Sequence, residues 1–197
     1  MTGRAAARGV RAAASIVKLL DATAVILRDE GAAAVSVQRV ADVAGTSKAL
    51  VHYHFSDKRA LLAACATRLA AQLVAFDDRA LSSSTPSSAL ADTWRALWDA
   101  EPLGARRAFI ALAAGRGVLQ SPATLATIAR QRQESAEQLI ERLERLLGAR
   151  LPIPRASVAS AYVALADGLS VGTPADRGLE ARQAFDAFWL AMLSLDG

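Results

Sequence analysis

Lys48, His52, Tyr53 and His54 stand within seven residues of one another, and Lys58 follows four residues later. Ammonium, imidazole and phenol groups gathered on one short segment can hydrogen-bond base edges and phosphate oxygens. The segment is preceded by Val40-Ala41-Asp42-Val43-Ala44 and then by Gly45-Thr46-Ser47. It therefore reads as the second of two short helices joined by a tight turn. Apolar Val40, Ala41, Ala44, Val51 and Phe55 recur at spacings that fold inward, which leaves Lys48, His52, Tyr53 and His54 facing outward. That is how a helix is presented to the major groove of DNA.

Other chemistries find little support. The two histidines are two residues apart, about 200° around a helix, whereas a helical metal pair needs the i,i+4 spacing. The single Cys65 has no partner for a disulfide or a thiolate cage and reads as a small buried hydrophobe. No Gly-rich phosphate loop or nucleophile elbow occurs. The expectation is a protein that is not an enzyme and has no metal site and no cofactor.

With 53% hydrophobic and 21% charged residues in 197, the chain can bury a substantial core. Aromatics are few, and no period-2 run of β-branched residues is long enough for a strand, so the fold class is all-α. The charge is placed unevenly. Residues 1–62 hold nine Lys/Arg against five Asp/Glu, a balance of +4, while residues 63–197 are balanced. The positive excess thus coincides with the turn motif, as a phosphate-facing module requires. No uninterrupted apolar run approaches the ~20 residues of a membrane span, so a cytoplasmic protein with no membrane partner is expected.

Nine helices follow from periodicity and punctuation. Ile16, Leu20, Ala24 and Leu27 mark a strut over residues 15–30 that stops at Gly31. Ser36 caps a short helix over 37–44, and Thr46 or Ser47 caps the next, over 48–53. Ser56 and Asp57 open a fourth helix that runs from Lys58 to about residue 81. The Ser-rich stretch 82–88 is a loop before a fifth helix over 87–100. Pro102 and Gly104 break that helix, and the sixth spans 105–119. A long seventh begins at Pro122, its face traced by Leu125, Ile128, Arg132, Ala136, Leu139 and Leu143 up to Gly148. Two prolines in Leu151-Pro152-Ile153-Pro154 separate it from the eighth, over 155–171, and the ninth spans 179–195.

The last two helices carry more large apolar surface than a thin helix normally hides. Tyr162, Leu165 and Leu169 stripe the eighth, and Phe185, Phe188, Trp189 and Met192 cluster on the ninth. Pairing both helices with a second copy builds a four-helix interface, so these seven residues are expected at the contact of a homodimer. Packing within one chain is the alternative.

The head resembles the TetR family of transcriptional regulators. The resemblance rests on Ser36, Ala44-Gly45, Ser47-Lys48, Tyr53-His54-Phe55 and Lys58, over about 45 residues, with Ala166-Asp167-Gly168-Leu169 as a weaker echo near the end of the eighth helix. Thr46, Ala49 and His52 stand where a small aliphatic, Gly and Tyr are usual. None of them removes the helix or the turn, and imidazole can still donate to a phosphate.

The resemblance implies two domains. One is an N-terminal arm and helix-turn-helix DNA-binding head over residues 1–60, and the other a helical ligand-binding and dimerisation domain over 61–197. It carries Lys48, Ala49, Leu50, His52, Tyr53 and His54 to the DNA-facing set, with Lys58 as phosphate clamp. Ser36, Gln38, Arg39, Thr46 and Ser47 border that surface, Gln38 and Arg39 within reach of the flanking backbone. Arg4, Arg8 and Arg11 would form a mobile arm. Two copies would read a pseudo-palindromic double-stranded operator, and a small effector that favours splayed heads would release it. Repression is the commoner outcome in the resembled family. The effector site is expected among helices four to eight, near Trp94, Trp98, Arg106 and Phe109, and this mainly apolar set suggests a hydrophobic molecule. The alternative function is a protein-interaction or chromosome-organising DNA-binding protein without small-molecule response.

Overall fold

The computed structural model describes residues 2–115, 122–172 and 177–194. Among them are nine α-helices and no strand: α1 (Thr2–Asp29), α2 (Val37–Val43), α3 (Lys48–His54), α4 (Lys58–Ala80), α5 (Ala89–Trp98), α6 (Ala100–Ala114), α7 (Pro122–Leu147), α8 (Arg155–Gly172) and α9 (Gly178–Ser194). A short 3₁₀ turn, Ala32–Ala34, links α1 to α2. The all-α expectation and the order of helices stand.

Two expected boundaries move. Helix α1 begins at Thr2 rather than near residue 15, because the Ala- and Arg-rich stretch ahead of Ile16 consists largely of strong helix formers. Arg4, Arg8 and Arg11, expected in an N-terminal arm, therefore fall within a 28-residue helix. Pro102 and Gly104 do not separate α5 from α6. The break falls at Asp99, whose extended ψ of 154° ends α5, and Pro102 sits in the first turn of α6. The first backbone N–H groups of a helix have no partner to lose, so proline is tolerated there. Gly117 and Leu119, expected in the sixth helix, and Pro174, expected to end the eighth, lie outside the described residues.

Two apolar clusters hold the helices. The first joins α1, α2, α3, α4 and α6 through Leu20, Ile26, Leu27, Val40, Val51, Leu62, Leu69, Leu73, Phe109 and Leu112. The second joins α5, α7, α8 and α9 through Leu97, Leu139, Leu143, Tyr162, Phe185 and Trp189. The first cluster crosses residue 60 without interruption, since α1 packs against both α4 and α6. Helix α4 is long and apolar enough to cross a bilayer, yet Leu61, Leu62, Leu69, Leu73 and Phe76 are buried in the chain's own core. Cys65 lies in the same core, its Sγ 3.8 Å from the Leu20 carbonyl, and burial pushes its thiol up to about 12. It is packed as a small hydrophobe.

Candidate nucleic-acid interface

Helices α2 and α3 owe their relative orientation to one residue. At Gly45 φ is +57°, a left-handed conformation that ends α2. The Gly45 N–H donates to the Asp42 carbonyl at 3.1 Å and the Thr46 N–H to the Ala41 carbonyl at 2.9 Å. These two bonds satisfy carbonyls that the end of α2 would otherwise leave open. A Cβ at Gly45 would meet nothing within 4 Å, so only the backbone conformation disfavours a side chain. Gly45→Ala is expected to destabilise the protein by about 1–2 kcal/mol, the left-handed penalty of an L-residue, and Gly45→Asn by less. Urea midpoints by circular dichroism check this; equal stability of Gly45→Ala would mean that the turn relaxes.

Three side chains cap the starts of α2, α3 and α4. Ser36 Oγ accepts from the Arg39 N–H at 3.1 Å, Ser47 Oγ from the Leu50 N–H at 3.2 Å, and Asp57 Oδ1 from the Ala60 N–H at 2.8 Å. Ser47 thus caps α3 while Thr46 belongs to the turn, which decides between the two caps that the sequence allows.

Val40, Ala41, Val51 and Phe55 are buried, which rotates α3 so that its other face meets solvent. Lys48, Ala49, His52 and Tyr53 are exposed, Tyr53 at 77%, and Leu50 and His54 are half-buried. The Tyr53 and His54 rings meet edge to face, 4.9 Å between centroids. Lys58 is half-buried at the first turn of α4. Among the described residues no ion pair involves Lys48 or Lys58. The N-terminal starts of α3 and α4 and these two ammonium groups bring positive potential to this face, with the Asp57 carboxylate capping α4 beside Lys58.

On α2 the outward residues are already engaged. Arg39 donates to both carboxylate oxygens of Glu30, at 2.7 Å from Nη2. That carboxylate raises the Arg39 pKa, first through the hydrogen bond. Gln38 donates to Asp42. Reaching a phosphate would require either side chain to exchange partners.

Three of the four residues expected around an effector are divided between the two clusters. Trp94 and Trp98 stack at 5.1 Å, and Trp94 meets Phe185 edge to face. Phe109 belongs to the first cluster, under the Arg132 guanidinium at 4.9 Å. Arg106 is buried, with Nη1 3.4 Å from Asp167 Oδ1. A concavity of about 290 Å³ between α4 and α7, bounded by Ala71, Val74, Gln131 and Ser135, touches none of the four.

The expected dimer residues also divide. Tyr162, Phe185 and Trp189 are fully buried within one chain, and Leu169 nearly so. They pack in the second cluster, with Tyr162 and Trp189 ring centroids 6.3 Å apart, and so cannot be a surface for a partner. Leu165, Phe188 and Met192 are half-buried at its edge. The apolar groups that α8 and α9 turn outward are others: Ala161, Ala164 and Val171, and Leu179, Ala187, Leu190 and Leu193.

A buried polar network on four helices was not anticipated. Arg132 on α7 holds Asp167 on α8 with both terminal nitrogens, at 2.6 and 3.0 Å. Tyr162 on α8 donates to Asp77 on α4 at 3.4 Å, and Arg106 on α6 completes the group. Burial pushes Asp77 up to about 6, against the pull of Arg106 and Arg132.

Residues 19–65 match the family described as bacterial regulatory proteins, tetR family. The whole fold is that of several solved regulators. A transcriptional regulator from Rhodococcus sp. Rha1 is 24% identical with a TM-score of 0.73, over 90% of this chain and 95% of that one. A TetR transcription regulator from Haloarcula marismortui is 21% identical with a TM-score of 0.70, over 92% and 100%. The TetR-like regulator LfrR from Mycobacterium smegmatis, solved in complex with proflavine, is 20% identical with a TM-score of 0.66, over 91% and 95%. A search of curated sequences finds no significant match.

Proposed function

We propose that this chain, whose residues 19–65 match the tetR family and whose fold is that of solved regulators, is a DNA-binding transcriptional regulator of that family. In this reading it represses transcription as a cytoplasmic homodimer on a pseudo-palindromic operator and leaves the operator when a small effector binds. The observation that carries the reading is the solvent-facing side of α3, where Lys48, His52 and Tyr53 stand clear of the core between two capped helix starts.

Each DNA-facing residue then has a role. Lys48, in the first turn of α3, reaches base edges, Leu50 offers apolar contact to a thymine methyl, and His52, Tyr53 and His54 donate to bases or phosphates. Lys58 clamps a phosphate at the start of α4. Ser36, Thr46, Ser47 and Ala49 line the approach, and Gln38 and Arg39 exchange Asp42 and Glu30 for the flanking backbone. The head is residues 1–60 and the regulatory body 61–197.

One such helix binds weakly alone, so two heads must act together. The outward faces of α8 and α9 supply a pairing surface of small and aliphatic residues, Ala161, Ala164 and Val171 with Ala187 and Leu190. An effector seated among α4 to α8 changes head spacing through α4 and α6, which both pack on α1. A molecule that prefers the splayed form shifts the population away from DNA by its differential affinity alone. The proflavine complex of one structural neighbour supports a small-molecule site in a body of this shape.

Selection of bound fragments from the source genome, followed by footprinting, tests the reading. Enrichment of an inverted repeat with half-sites about 34–36 Å apart, or a further helical turn, is expected. Absence of any enriched sequence, or protection of one half-site alone at saturation, overturns it.

A further inference from the structure

Arg106 is 2% exposed, and its Nε and Nη2 have no hydrogen-bond acceptor among the described residues. Its one ion-pair contact runs from Nη1 to Asp167, at a long 3.4 Å. Asp167 is already held in a tighter two-pronged grip by Arg132. Nε and Nη2 form one edge of the guanidinium fork, whose two parallel N–H bonds match a carboxylate. This chain uses that edge on carboxylates repeatedly: Arg28 on Asp29, Arg39 on Glu30, Arg68 on Asp21 and Arg155 on Glu144. All four pairs are nearer the surface than Arg106. The most buried fork of those described is the one that lacks its acid, although desolvated donors left unmet are the most unfavourable.

We propose that the effector is a small organic acid whose carboxylate takes the Nε and Nη2 edge of Arg106, where α4, α6, α7 and α8 converge. The proposal rests on the effector-released regulator described above and names the chemical class of its ligand. Phe109, packed under Arg132, supplies an apolar wall beside the charged groups, and Asp77, which accepts from Tyr162, lies close enough to feel the Arg106 charge. Arg132 is committed to Asp167 and Arg107 to the Ser170 carbonyl, so Arg106 is the cation that can receive the acid.

Asp77 adds a signature that packing alone would not give. The charged groups around it are Asp78 on α4, Arg106 on α6 and Arg132 on α7, with Tyr162 donating from α8 and Asp167 placed between the two arginines. Arg106 now helps to keep Asp77 ionised. A ligand carboxylate neutralises that help, so Asp77 takes up a proton on binding. Affinity then rises as pH falls through the range from 7.5 to 6, by at most tenfold per pH unit, while an ordinary carboxylic acid ligand stays ionised.

The test uses the full-length protein with benzoate, salicylate, octanoate and decanoate at millimolar concentration, and with their uncharged amides. At least one carboxylate is expected to raise the melting temperature by 2 °C or more, its amide not. Arg106→Met should abolish the shift without lowering the melting temperature of the ligand-free protein, because a buried cation with unmet donors is replaced by a side chain of similar size. Arg106→Lys keeps the charge but not the fork, and should weaken binding at least tenfold. Asp77→Asn should flatten the pH dependence. No shift with any acid, equal shifts with the amides, or a shift that survives Arg106→Met overturns the proposal. Operator binding by the ligand-free protein is read in parallel: intact binding with no response to acids leaves the regulator standing and removes only the acid. A response to acids without any operator does the reverse.

Discussion

Lys48→Ala combined with Lys58→Ala is expected to weaken operator binding by roughly a thousandfold or more. The pair removes one groove contact and one phosphate clamp from each head, four cations from a bound dimer. At about 1 kcal/mol or more for each, the loss is ~4 kcal/mol. Each lost phosphate contact also lowers the slope of log affinity against log salt by about 0.9. Both lysines belong to no ion pair among the described residues, so their removal leaves helicity and dimer mass unchanged. Arg39→Ala makes an internal control: Arg39 must leave Glu30 before it can meet a phosphate, and its loss should matter far less. Titrations at two or more salt concentrations measure all three variants. Unaltered affinity of the double variant would take the head out of the mechanism.

Trp189 and Leu190 are neighbours in sequence with opposite expected phenotypes. Trp189 is 1% exposed, its ring 5.2 Å from Phe188 and 6.2 Å from Phe185. Trp189→Ala empties a large volume in the second cluster and should destabilise the protein by about 3–5 kcal/mol. Leu190 is 70% exposed. Leu190→Glu should leave the fold of each protomer unchanged. Across a two-fold interface it places two unpaired carboxylates against apolar surface and weakens the dimer at least a hundredfold, at ~2–5 kcal/mol for a buried unpaired charge. Urea unfolding and sedimentation separate the two outcomes. A fully stable Trp189→Ala protein would take Trp189 out of the core, and a dimer that tolerates Leu190→Glu would move the interface elsewhere.

These two positions also mark the limit of what the sequence makes legible. The order of helices could be read because apolar spacing and Gly or Pro punctuation are local signals, and the head because Ser36, Gly45, Ser47 and Asp57 act within three residues of their own position. Helix α9 is apolar on more than one side: Ala181, Phe185 and Trp189 turn inward while Leu179, Ala187 and Leu190 turn out. Residue size alone then picks the aromatics as the conspicuous surface, whereas the core takes them because it gains most by burying them. The start of α1 and the place of Pro102 differ from the sequence expectation for a related reason. Helix ends depend on which backbone groups lack partners, and composition does not report that.

The polar network was hidden for a different reason. Asp77, Arg106, Arg132 and Tyr162 come from four helices, with Asp77 and Tyr162 85 positions apart, so no local pattern joins them. One signal was available. Arg132 lies on the same stripe of α7 as Ile128, Ala136 and Leu139, and a cation on an apolar stripe has to find an acid inside the protein. The acid proved to be Asp167, in the Ala166-Asp167-Gly168-Leu169 segment already singled out in the sequence.

Helix α1 lies along both α4 and α6, and a Cβ at Gly104 on α6 would come into ordinary contact with the Arg28 side chain, 3.5 Å from its Cδ. A reading head of this build is not an interchangeable cartridge. Grafting it onto a related body must carry α4 and the strip of α6 that α1 rests on, or else rebuild that seam. New operator preferences are therefore easier to reach by changing the few outward residues of α3, which the seam does not use, than by exchanging whole heads.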